Sequence, residues 1–359
     1  MKNNQRTDKR LKNEAFRYLK KNKLLLPLSI LGTIIVCILF LRGADLESLV
    51  NTLLSVKPLP LFYAFLVLNL LQAIGSWRLL SILPPSVKEQ PLAFKNALEI
   101  NYLQQFYARI LPLRLSDVLY MALIKKKFSV RINHNLAVYI LMRIWDMRII
   151  LGALLITLSL VIGIDFEKNQ VQSYLSFAVI IIGASMIIII TFPQFFMNLF
   201  SRFWLWIYRA TFKVKKKPLW FKSILRFSLS IRRAYKHANS QLLTVHHAIL
   251  ATTNWAVAFI SFYFIFQSIS VDINLQTVVL LSSSLVLFNI LPIQTIGGIG
   301  IGELGLSGML VFLGWEVDQS LVIGFSVGII HALLTLMLIF TFWSVKFSGN
   351  ILRRSMSYK

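Results

Sequence analysis

From Leu24 to Val345 the chain is a succession of apolar stretches long enough to cross a bilayer, separated by segments that are alternately rich in Lys and Arg and nearly free of excess basic charge. That alternation restricts the fold more than any other feature. Hydrocarbon offers no water to backbone N–H and C=O groups, so a crossing segment must satisfy them itself, as a helix does. Of 359 residues, 57% are hydrophobic and 14% charged, and the mean hydropathy is +0.69. These values exclude a soluble enzyme and predict an all-α integral membrane protein.

The formal net charge of +24 resides in loops and ends, which suits an anionic membrane lipid surface. Nucleic acid is the weaker partner, because no nucleic-acid-binding motif accompanies the charge. The single cysteine, Cys37, lies in the first apolar run, so the chain forms no internal disulfide or thiolate metal site.

Lys/Arg asymmetry orients the segments. Residues 1–23 hold nine Lys or Arg against Asp8 and Glu14, and form a cytoplasmic basic segment. Residues 24–345 form a single polytopic membrane domain, and 346–359 a cytoplasmic tail. Full spans are expected at Leu24–Leu41, Leu59–Leu83, Asn135–Ile162, Val171–Phe192, Leu242–Ile269 and Leu321–Val345. The loop Met197–Ser240 carries eleven basic residues and no acid. Trp220, Ile224, Phe227 and Ile231 recur there at helical spacing, so 197–240 reads as an amphipathic, cytoplasmic surface helix. It either lies on anionic lipid or docks a lipid-modifying enzyme. The pattern places both termini in the cytoplasm of a multi-pass protein of the cell membrane.

Two stretches do not fit a simple span. Residues 90–124 are interrupted by Glu99, Asn101, Gln104, Gln105, Arg109, Arg114 and Asp117, with Pro112 in the middle, and both ends look cytoplasmic. Residues 277–312 contain Pro292, and six of the sixteen glycines lie between Gly297 and Gly308, around Glu303. Broken backbone is tolerated at membrane depth only where protein or a wet cavity covers it. The expected architecture is therefore about six full transmembrane helices plus two oppositely inserted re-entrant hairpins, or eight hydrophobic segments by simple counting. Paired interruptions of this kind point to a transporter-type site.

Charged residues at membrane depth are the site candidates. Arg143 and Asp146 share a helix face and can pair with each other, as a headgroup site or as a structural lock. Arg114 and Asp117 have the same spacing at the first break. Arg114 suits a lipid phosphate, and Asp117 either shares that role or caps a helix. Glu303 binds a cationic headgroup, exchanges a proton, or is satisfied by amides at a helix start. Pro112, Pro292, Gly297, Gly298, Gly300 and Gly302 supply the backbone breaks. Arg78 beside Trp77 reads as a snorkelling interface residue, and Arg148 likewise. His246 and His247 read as interfacial residues, and His331 is ambiguous. No metal-ligand spacing, nucleophile constellation or ATP-binding motif is visible, so no metal, cofactor or enzymatic activity is expected, a membrane-embedded transferase being the remaining enzymatic option.

Four motifs carry a resemblance: Trp77-Arg78-Leu79-Leu80, Leu111-Pro112-Leu113-Arg114-Leu115-Ser116-Asp117, Arg143-Ile144-Trp145-Asp146, and Pro292 followed by Gly297 to Glu303. In this order they resemble the transmembrane region of lysylphosphatidylglycerol synthases, the flippase-like domain of multiple peptide resistance factors, over about residues 20–345. Leu113 and Ser116 stand where that family has glycines, Asp117 where it has Glu, Tyr120 where it has Arg, and Ser76 where it often has Arg. These departures bear on the substrate more than on the fold. The resemblance implies translocation of a phospholipid, glycolipid or polyprenyl-linked lipid between leaflets. Because 14 residues follow Val345, lysyl transfer by a fused soluble domain is not expected. The alternative is a non-transporting scaffold that presents lipid to a cytoplasmic glycosyltransferase or synthase.

Overall fold

The computed structural model describes residues 45–111, 115–130, 132–163, 245–289 and 300–356, and every regular element among them is helical. The spans expected at Leu24–Leu41 and Val171–Phe192, the surface helix at 197–240, and Pro112, Arg114, Pro292, Gly297 and Gly298 lie outside the described residues. Three helices are long and apolar enough to cross a membrane by length and composition, at Pro58–Ile82, His246–Ser268 and Val317–Ser344.

Helix α1, Leu46–Leu54, lies in the connection between the spans expected at Leu24–Leu41 and Leu59–Leu83. Asp45 starts it, its carboxylate accepting from the Glu47 amide at 3.0 Å and the Ser48 hydroxyl at 2.6 Å. Such a cap satisfies amides that a helix start otherwise leaves without partners. Helix α2, Pro58–Ile82, opens on a proline whose fixed φ suits a first turn, and ends where Pro84 holds Leu83 extended at ψ 156°. A single turn, α3 (Pro85–Lys88), leads to α4, Ala93–Ile110. Leu111 before Pro112 is again extended at ψ 129°, which ends α4 for the same steric reason. Helix α5, Leu115–Phe128, then packs back along α4, with Lys127 Nζ to Glu99 Oε2 at 2.8 Å joining the two arms.

Helix α6, Ile132–Gly163, is followed among the described residues by α7, Val245–Ser268, and α8, Leu275–Phe288. The Asn274 side chain caps α8 through the Thr277 amide at 2.8 Å. Helix α9, Ile301–Phe312, packs on α8, so the second interruption also separates two helices that return along each other. Helix α10 runs unbroken from Val317 to Met356, carrying helical structure past the predicted end of the membrane domain at 345.

Helices α2 and α7 make the most extensive contact among the described elements. They run antiparallel: the Lys57 amide donates to Ser268 O at 2.7 Å at one end, and Ser81 Oγ meets His247 Nδ1 at 3.2 Å at the other. One core, including Leu68, Phe266, Leu281, Leu306 and Val327, joins this pair to α8, α9 and α10. A second, including Leu79, Ile100, Tyr120, Ile124 and Val138, seats α4, α5 and α6 against the far end of α2.

Close packing rather than water exclusion holds helices together in lipid, so small residues sit where backbones approach. A side chain at Gly305 would run into the Phe288 ring, and one at Gly328 into the Glu303 carboxylate. These glycines let α9 lie tightly against α8 and α10.

Candidate functional site

Between the two helical hairpins lie two adjoining cavities. The larger, about 450 Å³, is lined by Arg78, Asn101, Ser116, Asp117, Tyr120, Tyr139, Arg143, Asp146 and Asn254 among others. The smaller, about 290 Å³, is lined by Arg109, Ser261, Glu303, Gly328, His331 and Thr335 among others. They share the wall formed by Leu71, Gln72, Gln105, Ala108, Trp255, Ala258, Val286 and Asn289. Ala108 lies in the last turn of the first arm of one hairpin, and Asn289 caps the first arm of the other. Ser116 and Glu303 lie in the first turns of the returning arms. Both broken elements therefore bring the residues flanking their breaks to one polar hollow.

The larger cavity holds two ion pairs, partnered differently from the sequence expectation. Arg143 and Asp146 do not bond to each other. Asp146 Oδ1 receives Arg78 Nη1 at 2.6 Å and Trp255 Nε1 at 2.9 Å, and Arg78 Nη2 also donates to Met142 O at 2.8 Å. The Arg78 and Asp146 side chains are 5% and 9% exposed, so Arg78 does not snorkel. Its guanidinium ties α2 to α6, and Trp255 adds α7 to the same carboxylate. Arg143 instead donates from Nε to the Tyr139 hydroxyl at 2.8 Å and from Nη2 to Asp117 Oδ1 at 3.3 Å. This side chain is 45% exposed. Asp117 lies in the first turn of α5, where its charge also suits the positive helix end, while its side chain pairs with Arg143. Arg148 lies over the Trp145 ring at 4.7 Å, a cation–π contact rather than a site position.

Glu303 is 3% exposed and lies in the first turn of α9. Its Oε2 accepts the Gly300 amide at 2.6 Å, the helix-start arrangement that was one of its expected roles. Gly300 has φ 134°, a backbone region that only glycine adopts readily, which explains a glycine at this break. Gly302 is required for space, since a side chain there would strike Asn289. Across the cavity Arg109 Nη2 meets His331 Nδ1 at 2.6 Å, and the His331 ring lies 5.2 Å from that of Phe262. A guanidinium has no acceptor atom, so His331 accepts on Nδ1 and carries its proton on Nε2.

Of the predicted site residues, Asp117, Arg143 and Asp146 meet in the larger cavity, and Glu303 faces the adjoining one. Arg78, Arg109 and His331 belong to the same hollow but were not among the site candidates. Among the described residues no group of three or more His, Cys, Asp or Glu side chains converges as a metal site.

The family model of the lysylphosphatidylglycerol synthase transmembrane region matches residues 25–341. The chain belongs to this family. The match covers nearly the whole sequence, from the first apolar run through most of α10, and includes both hairpins and every residue of the hollow. No curated protein matches the chain. Family membership and the apolar helices make it a multi-pass membrane protein, in a family of lipid metabolism or transport.

Proposed function

We propose that the chain moves an amphipathic lipid between the leaflets of the cell membrane, its phosphate or glycosylated headgroup passing through the paired cavities while its tails stay in the bilayer. The observation that carries this reading is the convergence of both interrupted hairpins on one charged hollow. Irregular backbone lining a polar cavity is how membrane transporters build a path for polar cargo. Both termini lie in the cytoplasm on the distribution of Lys and Arg. No chemical transformation of the lipid is part of the reading.

The two ion pairs divide the work. Arg78 and Asp146 are buried and short-bonded, and serve as fixed wall. Arg143 is half exposed and its bond to Asp117 is long, so a phosphate can take Asp117's place without stripping water from a buried charge. Arg109 and Glu303 present a second cation and anion one cavity further on, the next contact for a headgroup in transit.

The test is lipid movement in liposomes holding only the purified chain and a fluorescent phospholipid. Arg143→Ala and Glu303→Gln should each slow movement about tenfold or more, as loss of one charge-assisted contact costing about 1.5–3 kcal/mol would. Unchanged rates in both variants would remove the hollow from the path. The scaffold reading expects no movement even from the unaltered chain.

A further inference from the structure

Outside the hollow, a groove of about 550 Å³ opens at the joined ends of α2 and α7. Trp77, Leu92, Phe94 and Leu250 give it apolar walls, and Lys88 and His246 stand at its polar edge. Trp77 is 64% and Leu92 55% exposed, and the Trp77 and Phe94 rings stand edge to face at 6.3 Å. We propose that this groove seats one acidic glycerophospholipid from the adjoining leaflet, its phosphate on Lys88 and its upper acyl chains along Trp77 and Leu250.

Three observations support that occupant. The first is depth. Trp77 lies in the last turns of α2 and His246 at the first residues of α7, so the groove sits at one end of two antiparallel apolar helices, where headgroups meet acyl chains. Amphipathic aromatics favour that level. The second is charge. Among the described residues the lining contains Lys88 and no acid, which matches a lipid phosphate. The third is construction. The α2–α4 connection folds back in successive turns, Val87 N to Pro84 O at 2.9 Å, Gln90 N to Val87 O at 3.2 Å and Ala93 N to Gln90 O at 3.1 Å. It holds Leu92 at φ 67°, an unfavourable conformation for a bulky residue, and that residue lines the groove while remaining exposed.

The seat is separate from the proposed path. Ser81 lines the groove and bonds to His247 behind it, while Arg78, three residues earlier, lines the larger cavity. A chain that holds lipid here yet moves none across the bilayer would sink the translocation reading and leave the seat standing.

The test is native mass spectrometry of the delipidated full-length chain in detergent, offered dioleoylphosphatidylglycerol or dioleoylphosphatidylcholine. One juxtaposed Lys is worth about 1 kcal/mol toward an acidic lipid, so the first bound phosphatidylglycerol should be retained about fivefold better than phosphatidylcholine. Lys88→Glu should abolish the preference. Lys88→Arg should keep it, which also shows that the fold survives change at this position. Lys57→Glu should keep it too, since Lys57 stands exposed at the opposite end of α2. The proposal is overturned if the unaltered chain shows no preference, if Lys88→Glu retains it, or if Lys57→Glu or Lys88→Arg loses it.

Discussion

Replacing Arg78 with Met keeps most of the side-chain volume and removes one charge from a buried pair. Arg78 is 5% exposed and bonds to Asp146 and Met142 O; its loss leaves the Asp146 carboxylate with the Trp255 indole as its remaining hydrogen-bond partner among the described residues. Two unit charges about 4 Å apart attract by about 4 kcal/mol at an effective dielectric of about 20. Abandoning one partner of a buried pair typically costs about 3–5 kcal/mol, because the other charge remains desolvated. Removing both charges, as in Arg78→Met with Asp146→Leu, should recover part of that loss, since no buried charge is left unpaired while the Trp255 N–H loses its acceptor. Unfolding in a titration with denaturing detergent, measured for both single variants and the double, provides the double-mutant cycle. The expected order places both singles well below the unaltered chain and the double between them and it. If Arg78→Met unfolds like the unaltered chain, or the double falls by the sum of the singles, the pair does not hold α2 to α6 and the reasoning fails.

Two further outcomes follow from packing and capping. Gly328→Ala should displace the Glu303 carboxylate from the Gly300 amide and destabilise the chain by about 1–3 kcal/mol. Gly308→Ala, with nothing within 4 Å, should be neutral or stabilise α9 by about 0.4–1 kcal/mol, and the same denaturation assay separates the two. At Asp45 the Ser48 hydroxyl and then the Glu47 and Ser48 amides hold the carboxyl below its ordinary value of 3.8. A group depressed in the folded chain stabilises above the unfolded value, and that contribution disappears as pH falls through the lowered one. Amide exchange in α1 should thus show less protection below about pH 4 than the intrinsic pH dependence predicts, and Asp45→Ala should abolish that loss.

The two interruptions were legible because their causes are local. Proline excludes the preceding residue from helical geometry, and Leu111 is extended for that reason. Gly300 shows why a second break is glycine-rich. The ion pairs were not legible. Helical spacing proposes partners three or four residues away, whereas Asp146 found Arg78 sixty-eight positions earlier and Arg143 found Asp117 twenty-six positions earlier. Which cation meets which carboxylate is decided by helix packing, on which periodicity is silent. Arg78 looked interfacial because it follows Trp77, but adjacent helical residues point about 100° apart, and Trp77 faces outward while Arg78 faces the bundle. Arg109 and His331 lie 222 positions apart, so neither had a sequence neighbour to mark it. Helix α1 carried a readable signal in Asp45, Glu47 and Ser48, but its apolar face is too short to stand out by periodicity.

The bonds at the two ends of α2 and α7 limit what the remaining helices are free to do. Lys57 to Ser268 and Ser81 to His247 fasten this antiparallel pair at head and foot, so neither rod can slide along the other without tearing a fastening. The pair acts as a post. If the hollow opens to each side in turn, as the proposed translocation requires, that motion falls among the described elements to the two hairpins and α10, swinging about an upright that keeps its length and pitch.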